Sequence, residues 1–458
     1  MGRRKKRQQS LWVATTDLPM SPGHPFYQRL NAILEKAGFD ALVERLCRRF
    51  YSPVMGRPSL TPGRYFRLLL VGYFEGLDSE RGMAWRASDS LAIRSFLGLS
   101  VEEAAPDHST VSRTRRLIDV ETHREVFTWV QERLSEAGLL RGKTVGVDAT
   151  TLEANAAMRS IVRCDTGATY QEFLTGLAKS SGIKTPTREA LARLDRKRQK
   201  KTSNKDWMSP SDPDAKITKM KDGRTHLAHK AEHAIDIETG AIVAVTVQGA
   251  DQGDTTTIDA TLSEAMKQVE KVAVRTTEGQ TNPDGLVGVV ADKGYHSDRV
   301  LTALDDLALR SYISEPDRGR RQWKDDVEAQ MAVYANRRRM RGGRGRRLCR
   351  LRGERLERPF AHLYETGAMR RTHLRGHTNI LKRPLIHSSA FNLGLMMRKT
   401  FGIGKPRCLQ GAVSAFSALV DRWISTIRAK TSAILSVVGA VLLRLTRHQR
   451  HVVRLSIS

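Results

Sequence analysis

Two aspartates stand directly behind short apolar runs: Val145-Gly146-Val147 precedes Asp148, and Leu286 to Ala291 precedes Asp292. A carboxylate at the end of a buried strand is costly unless a cation or hydrogen bonds compensate it. Either acid alone reads as well as a helix cap or a turn former. Two of them on neighbouring central strands are harder to dismiss. Converging carboxylates offer the hard oxygen ligands that Mg²⁺ and Mn²⁺ prefer. Two such ions, roughly 3.5–4 Å apart, stabilise both the attacking and the leaving oxygen when a phosphodiester is cut or transferred. Other chemistry is less well supported. His226, His229 and His233 suggest zinc, but in an extended register His226 points away from the other two and no cysteine joins them. Tyr295 lies beside Asp292, yet the arginine–histidine constellation of a tyrosine nucleophile is missing, which leaves it a packing role.

The elements that must carry these acids change character along the chain. From Pro25 to about Ile118 the apolar spacing is helical, as in Leu30-Ile33-Leu34 and the run from Tyr65 to Tyr73. That block closes on Pro106-Asp107-His108-Ser109-Thr110, a turn with hydroxyl caps, followed by a basic helix with Arg113, Arg115 and Arg116. It reads as the second half of a helix-turn-helix that contacts DNA, or as a capped helix with a solvated arginine face. Beyond Gly142 short β-type runs begin: Thr144 to Val147, His229 to Ile237 and Ala241 to Val247, the last two joined by Glu238-Thr239-Gly240. A helix from about Asp254 to Val272, a strand Leu286 to Ala291, a helix Asp298 to Leu309, a strand Arg310 to Ser314 and a helical stretch near Glu354 to Glu365 follow. This order, three strands, helix, strand, helix, strand, helix, is that of a ribonuclease H-like α/β domain. A long insertion, about Met158 to Arg224, interrupts it after the first strand. Rich in Lys, Ser and Pro, with Arg196-Lys197-Arg198 and Lys200-Lys201, it reads as a solvated linker or a DNA-contacting arm. The expected organisation is a basic N-terminus (1–24), a helical domain (25–135), a catalytic domain (140–403) and a basic, apolar helical tail (404–458).

The 77 Lys and Arg against 49 Asp and Glu leave a formal charge of +28 and a pI near 10.4. A polyanion, nucleic acid above all, is the expected partner. Four scattered cysteines, Cys47, Cys164, Cys349 and Cys408, indicate neither a disulfide framework nor a zinc knuckle, and reduced cytosolic thiols are expected. The basic start has no apolar core of signal-peptide length behind it, and the apolar stretch Thr431 to Leu443 is too short to span a bilayer. Neither secretion nor a membrane is expected.

With these segments in view, the chain resembles the DDE transposases of bacterial insertion sequences, in the group with a DKGY-type second-acid motif and an InsH-like N-terminal domain. The resemblance rests on Val147 to Ala154, His226 to Val247, Gly249 to Thr255, Ala291-Asp292-Lys293-Gly294-Tyr295-His296-Ser297 and Glu354 to Arg375, with Pro106 to Arg116 in the N-terminal part. It implies that Asp148 and Asp292 are the first two catalytic acids and metal ligands. The third falls on Glu357, in Glu357-Arg358-Pro359-Phe360, with Glu354 as the rival three residues earlier. Where many relatives carry a Tyr, an Arg and a Lys around the glutamate, this chain has Arg350, Gly353 and Tyr364, and Pro359 places Glu357 at a kink or a helix start. The family's partners would be double-stranded DNA, as terminal inverted repeats and target, with two Mg²⁺ or Mn²⁺ ions, a homodimer or larger assembly on DNA, and a place in the bacterial cytoplasm. Eleven arginines between Arg337 and Arg358, among them Arg337, Arg338, Arg339, Arg344, Arg346, Arg347 and Arg358, suit phosphate contacts or a disordered basic loop. A two-metal nuclease on the same fold, or a catalytically silent transposase-derived DNA-binding protein, are the competing readings.

Overall fold

The computed structural model describes residues 23–52, 59–197, 203–220, 222–317, 319, 321–323 and 326–407. The basic start, Arg198, Lys200, Lys201, Cys408 and the apolar stretch 431–443 lie outside them. The first part is helical: α1 (Pro25–Lys36), α2 (Phe39–Cys47), α3 (Pro62–Glu75), α4 (Glu80–Asp89), α5 (Leu91–Phe96), α6 (His108–Leu117) and α7 (Val120–Glu136). Local chemistry sets several of the boundaries. Ser79, Ser90, Asp107 and Asp119 each accept a first-turn amide of the helix that follows, supplying a partner the helix itself cannot. Gly76 ends α3 in the left-handed region, which a side chain would resist. Helix α3 is buried on nearly every side, with Tyr65, Phe66, Leu68, Leu70 and Tyr73 at its core.

A mixed sheet follows. Its strands are β1 (Thr144–Glu153), the short β2 (Val162–Arg163) and β3 (Trp207–Met208), which pair apart from the main sheet, then β4 (Lys216–Lys219), β5 (Thr225–Asp236), β6 (Ile242–Gly249), β7 (Gly288–Ala291) and β8 (Arg310–Ile313). The order is β6-β5-β1-β7-β8, with β4 beside the first residues of β5 on the edge that β6 then takes over. Strand β5 runs antiparallel to β1, β4 and β6, while β7 and β8 run parallel to β1. Between them lie α8 (Tyr170–Ser180) and α9 (Arg188–Lys197) in the insertion, then α10 (Asp254–Arg275), α11 (Asp298–Asp306), α12 (Val327–Arg341), α13 (Gly343–Phe360) and α14 (His377–Phe401). No helix among the described residues is long and apolar enough to cross a membrane.

Three edge strands are closed in the same way. Asn392 of α14 accepts the amide of Ile242 and donates to its carbonyl, both at 2.9 Å. Asn336 of α12 does the same for Ile313 at 3.1 and 2.8 Å, and Asn204 for Ile217 at 2.7 and 3.0 Å. An asparagine amide has one acceptor and one donor side by side, so it occupies one backbone pair as a neighbouring strand would.

Several expectations shift. Strand β1 does not stop before Asp148 but continues to Glu153, because β5 pairs with it along that whole length. The insertion is no bare linker. Its described part folds α8 and α9 around Leu174, Ala178 and Leu191, and packs Ile161, Trp207 and Ala215 against Ala154 and Leu227 of the sheet domain. A helix-turn-helix joins its helices by a turn of about three or four residues, whereas residues 97–107 separate α5 from α6. Helix α6 instead docks on α4 and α14.

Candidate active site

Parallel pairing of β1 with β7 runs from Thr144 and Gly288 to Gly146 and Val290. Asp148 and Asp292 each lie two residues beyond the last pair, where the strands part. Gly146, Asp148 and, across the antiparallel ladder, His233 share one face, since side chains alternate along a strand. Helix α13 crosses that face. Arg344 lies over the Tyr312 ring of β8, Leu356 fills the space above Gly146, and Phe360 meets the ring of His233, which also bonds the Tyr364 hydroxyl.

Asp148 is half-buried, and its Oδ1 accepts the amide of Ala149 at 2.8 Å. Burial, and secondarily the nearby carboxylates of Asp292 and Asp254, push its carboxyl above the ordinary range, against the pull of that amide and of Arg352. Asp292 opens a 3₁₀ turn, Lys293–Tyr295, and accepts the amide of Gly294 at 2.8 Å. Next to it stands Asp254, the first residue of α10, paired with Lys230 at 2.6 Å.

The sequence singled out neither Asp254 nor Lys230. Asp254 reads as an ordinary acid in a helix's first turn. The only signal from β5 is Lys230 and Glu232, two charges on one face of a strand that turns out to be flanked on both sides.

The glutamates stand apart. Among the described residues no three of His, Cys, Asp and Glu lie close enough to hold one ion, so Glu357 does not join the two aspartates here. Both Glu354 and Glu357 are exposed on α13. Their directions differ, because successive helical residues turn by about 100°. Leu356 faces the sheet, and Arg355 lies beside Gly240, in the hairpin beyond the first residues of β1. Glu357, about 200° from Arg355, falls on the opposite flank of the helix, whereas Glu354, about 200° from Leu356, points away from the sheet. Pro359 sits within the last turn of α13, not ahead of a helix start, and the chain continues into a π-helical turn, Ala361–Thr366.

The histidines are structural. His229 lies 3.0 Å from Asp212 and His233 bonds Tyr364, while His226 pairs with Asp222. Tyr295 is buried with its hydroxyl on Glu232. Cys47, Cys164 and Cys349 are free thiols.

Of the arginines expected on DNA, Arg113, Arg116, Arg338, Arg344, Arg346, Arg347 and Arg358 are exposed. Three are committed within the protein. Arg115 is buried and paired with Glu80 at 2.6 Å, Arg337 grips Glu315 through two bonds of 2.7 Å, and Arg339 bonds Ser311.

Two family models match the chain: a transposase domain over residues 17–117 and a transposase DDE domain over residues 165–403. The second match begins after Asp148 and includes Asp292 and Glu357. No curated protein matches the chain.

Proposed function

Because the chain belongs to the DDE transposases, we propose that it cuts DNA at the ends of an insertion sequence and joins the freed 3′ ends to target DNA, with Asp148, Asp292 and Glu357 as its catalytic acids. The observation that carries this reading is the pair of aspartates at the point where β1 and β7 part, on a face crossed by the helix that bears the glutamate. The strand order, with β5 alone reversed among β6-β5-β1-β7-β8, supports a ribonuclease H-like catalytic domain.

Two crowded carboxylates, one of them disfavoured by burial, fit Mg²⁺ or Mn²⁺. Bound there, two such ions supply charge stabilisation for the attacking and leaving oxygens. The chain's own part is to fix the ligands. The Ala149 amide orients Asp148 and the Gly294 amide orients Asp292. Glu357, exposed on α13, would be the third ligand. Arg352, whose charge reaches Asp148, offsets part of the repulsion between the acids. Exposed arginines of α6, α12 and α13 grip phosphates and hold the duplex in register.

The test is a cleavage and joining assay on duplex carrying the element's end. Asp148→Asn and Asp292→Asn keep shape but lose charge, so each should lower cleavage by roughly a thousandfold or more, several kcal/mol, while end binding persists. Wild-type cleavage by either variant, or full activity in excess chelator, overturns the mechanism. Cleavage without joining would make the protein a nuclease.

A further inference from the structure

We propose that Lys230, Glu232, Asp254 and Tyr295 form a closed ring of polar and packing contacts that positions Asp292, an inference that rests on the catalytic reading above. The ring starts at the turn that follows Asp292. The Gly294 amide holds Asp292, and Gly294 is wedged between two carboxylates: a Cβ there would come within 2.7 Å of Asp254 Oδ2 and 3.0 Å of Asp292 Oδ1. Asp254 cannot drift, because the Lys230 ammonium, itself buried, donates to its Oδ1 at 2.6 Å, to Thr257 Oγ1 at 2.8 Å and to the Gln252 carbonyl at 3.3 Å.

Lys230 also lies 3.9 Å from Glu232 Oε1, two residues along the same face of β5. Glu232 is fully buried, and both its oxygens are taken: Oε1 accepts from Tyr295 at 2.8 Å and from Thr257 at 2.9 Å, and Oε2 from Thr261 at 2.5 Å. Tyr295 belongs to the same turn as Gly294, so the ring closes where it began.

The turn is thus tied twice, at Gly294 by packing and at Tyr295 by a hydrogen bond, to groups on α10 and on β5. None of the four side chains needs to touch DNA. They are positioning residues, and they act on the sheet face opposite Asp148: Glu232 pairs with Ala149, whose side chain points away from the one that carries Asp148. A carboxylate displaced by about 1 Å from its productive place costs on the order of a hundredfold in rate, which is what such a ring guards against.

Tyr295→Phe tests the ring without changing any charge. The expected result is a kcat for cleavage lowered by about tenfold or more with an unchanged KM for end DNA, and a severalfold weaker Mn²⁺ affinity by titration calorimetry of the DNA-free protein. Lys230→Met should lower kcat likewise. The double variant should be no slower than the worse single one, since both act through one turn. Should Tyr295→Phe fail to fold, as judged by its thermal melt, Lys230→Met carries the kcat and KM test alone. Asp148→Asn, outside the ring, is measured alongside. If it cleaves like the wild type, the catalytic reading fails whatever the ring does. If it is dead while Tyr295→Phe and Lys230→Met keep wild-type kcat and Tyr295→Phe keeps wild-type Mn²⁺ affinity, the ring alone is overturned.

Discussion

A methyl group at position 146 would overlap Leu356 Cδ1 and crowd Ile237. Glycine is required there by the close approach of α13 to β1, and through Leu356 it sets the height at which Glu357 rides. Gly146→Ala should therefore cost about 1–3 kcal/mol through overpacking, read as a lower denaturation midpoint, and should slow cleavage as well. Leu356→Ala in the same chain should restore part of the stability. The neighbouring glutamates separate by direction. Glu357→Gln should abolish cleavage and Glu354→Gln should be mild; the reverse outcome in the same assay would move the third ligand by about one helical turn. Asp148 and Asp292 were legible because the signal is local, an acid behind a few apolar residues. Asp254 and Lys230 were not, since they meet each other across 24 residues of sequence only once β5 and α10 are packed together.

Among the elements, the insertion departs furthest from its sequence. Its Lys, Ser and Pro content suggested a solvated segment, but a few scattered apolar residues, Ile161, Leu174, Leu191 and Trp207, suffice for two small cores. No periodic stripe announces them. The N-terminal half of α13 was equally hidden, because arginines and glycines outnumber its one buried leucine, Leu348. The insertion is fastened by Asp212, which takes His229 of β5 on one oxygen and the Gly376 amide, ahead of α14, on the other. Burial, the largest single influence, would raise this carboxyl, but the hydrogen bond and charge of His229, the Gly376 amide and the charge of His377 together outweigh it and hold it below the usual range. A carboxyl lowered in the folded state stabilises fully above its unfolded value, about 3.9, and that contribution is lost as pH falls through the lowered value. Asp212→Asn should remove it at neutral pH, costing about 3 kcal/mol as a broken buried pair. Faster hydrogen exchange and proteolysis confined to residues 158–224 and the start of α14 would report it; protection equal to the wild type would show that the pair fastens nothing.

At the scale of the whole molecule, a formal charge of +28 makes DNA affinity a matter of salt. Each phosphate that the protein neutralises adds a slope of about −0.9 to the logarithm of affinity against that of salt. Replacing exposed Arg344, Arg346 and Arg347 by alanine should therefore flatten the slope by roughly 0.9 for each phosphate left without its arginine. Arg337→Ala and Arg339→Ala should leave the slope alone and lower the melting temperature, because these arginines serve Glu315 and Ser311. Equal slopes for all five would place the duplex elsewhere. Composition foretold the charge but not this division, which depends on which arginines find an internal partner once the chain is folded.

The three asparagines that close the sheet edges bear on how copies of this protein can meet. An open strand edge invites a strand from another molecule, the route to domain swapping and fibrils. With Ile217, Ile242 and Ile313 each occupied, those three positions offer an incoming strand no free backbone pair. Leucine in place of Asn336 would fill much the same volume and still uncover the amide and carbonyl of Ile313. Such molecules would be more prone to pair edge to edge and come out of solution.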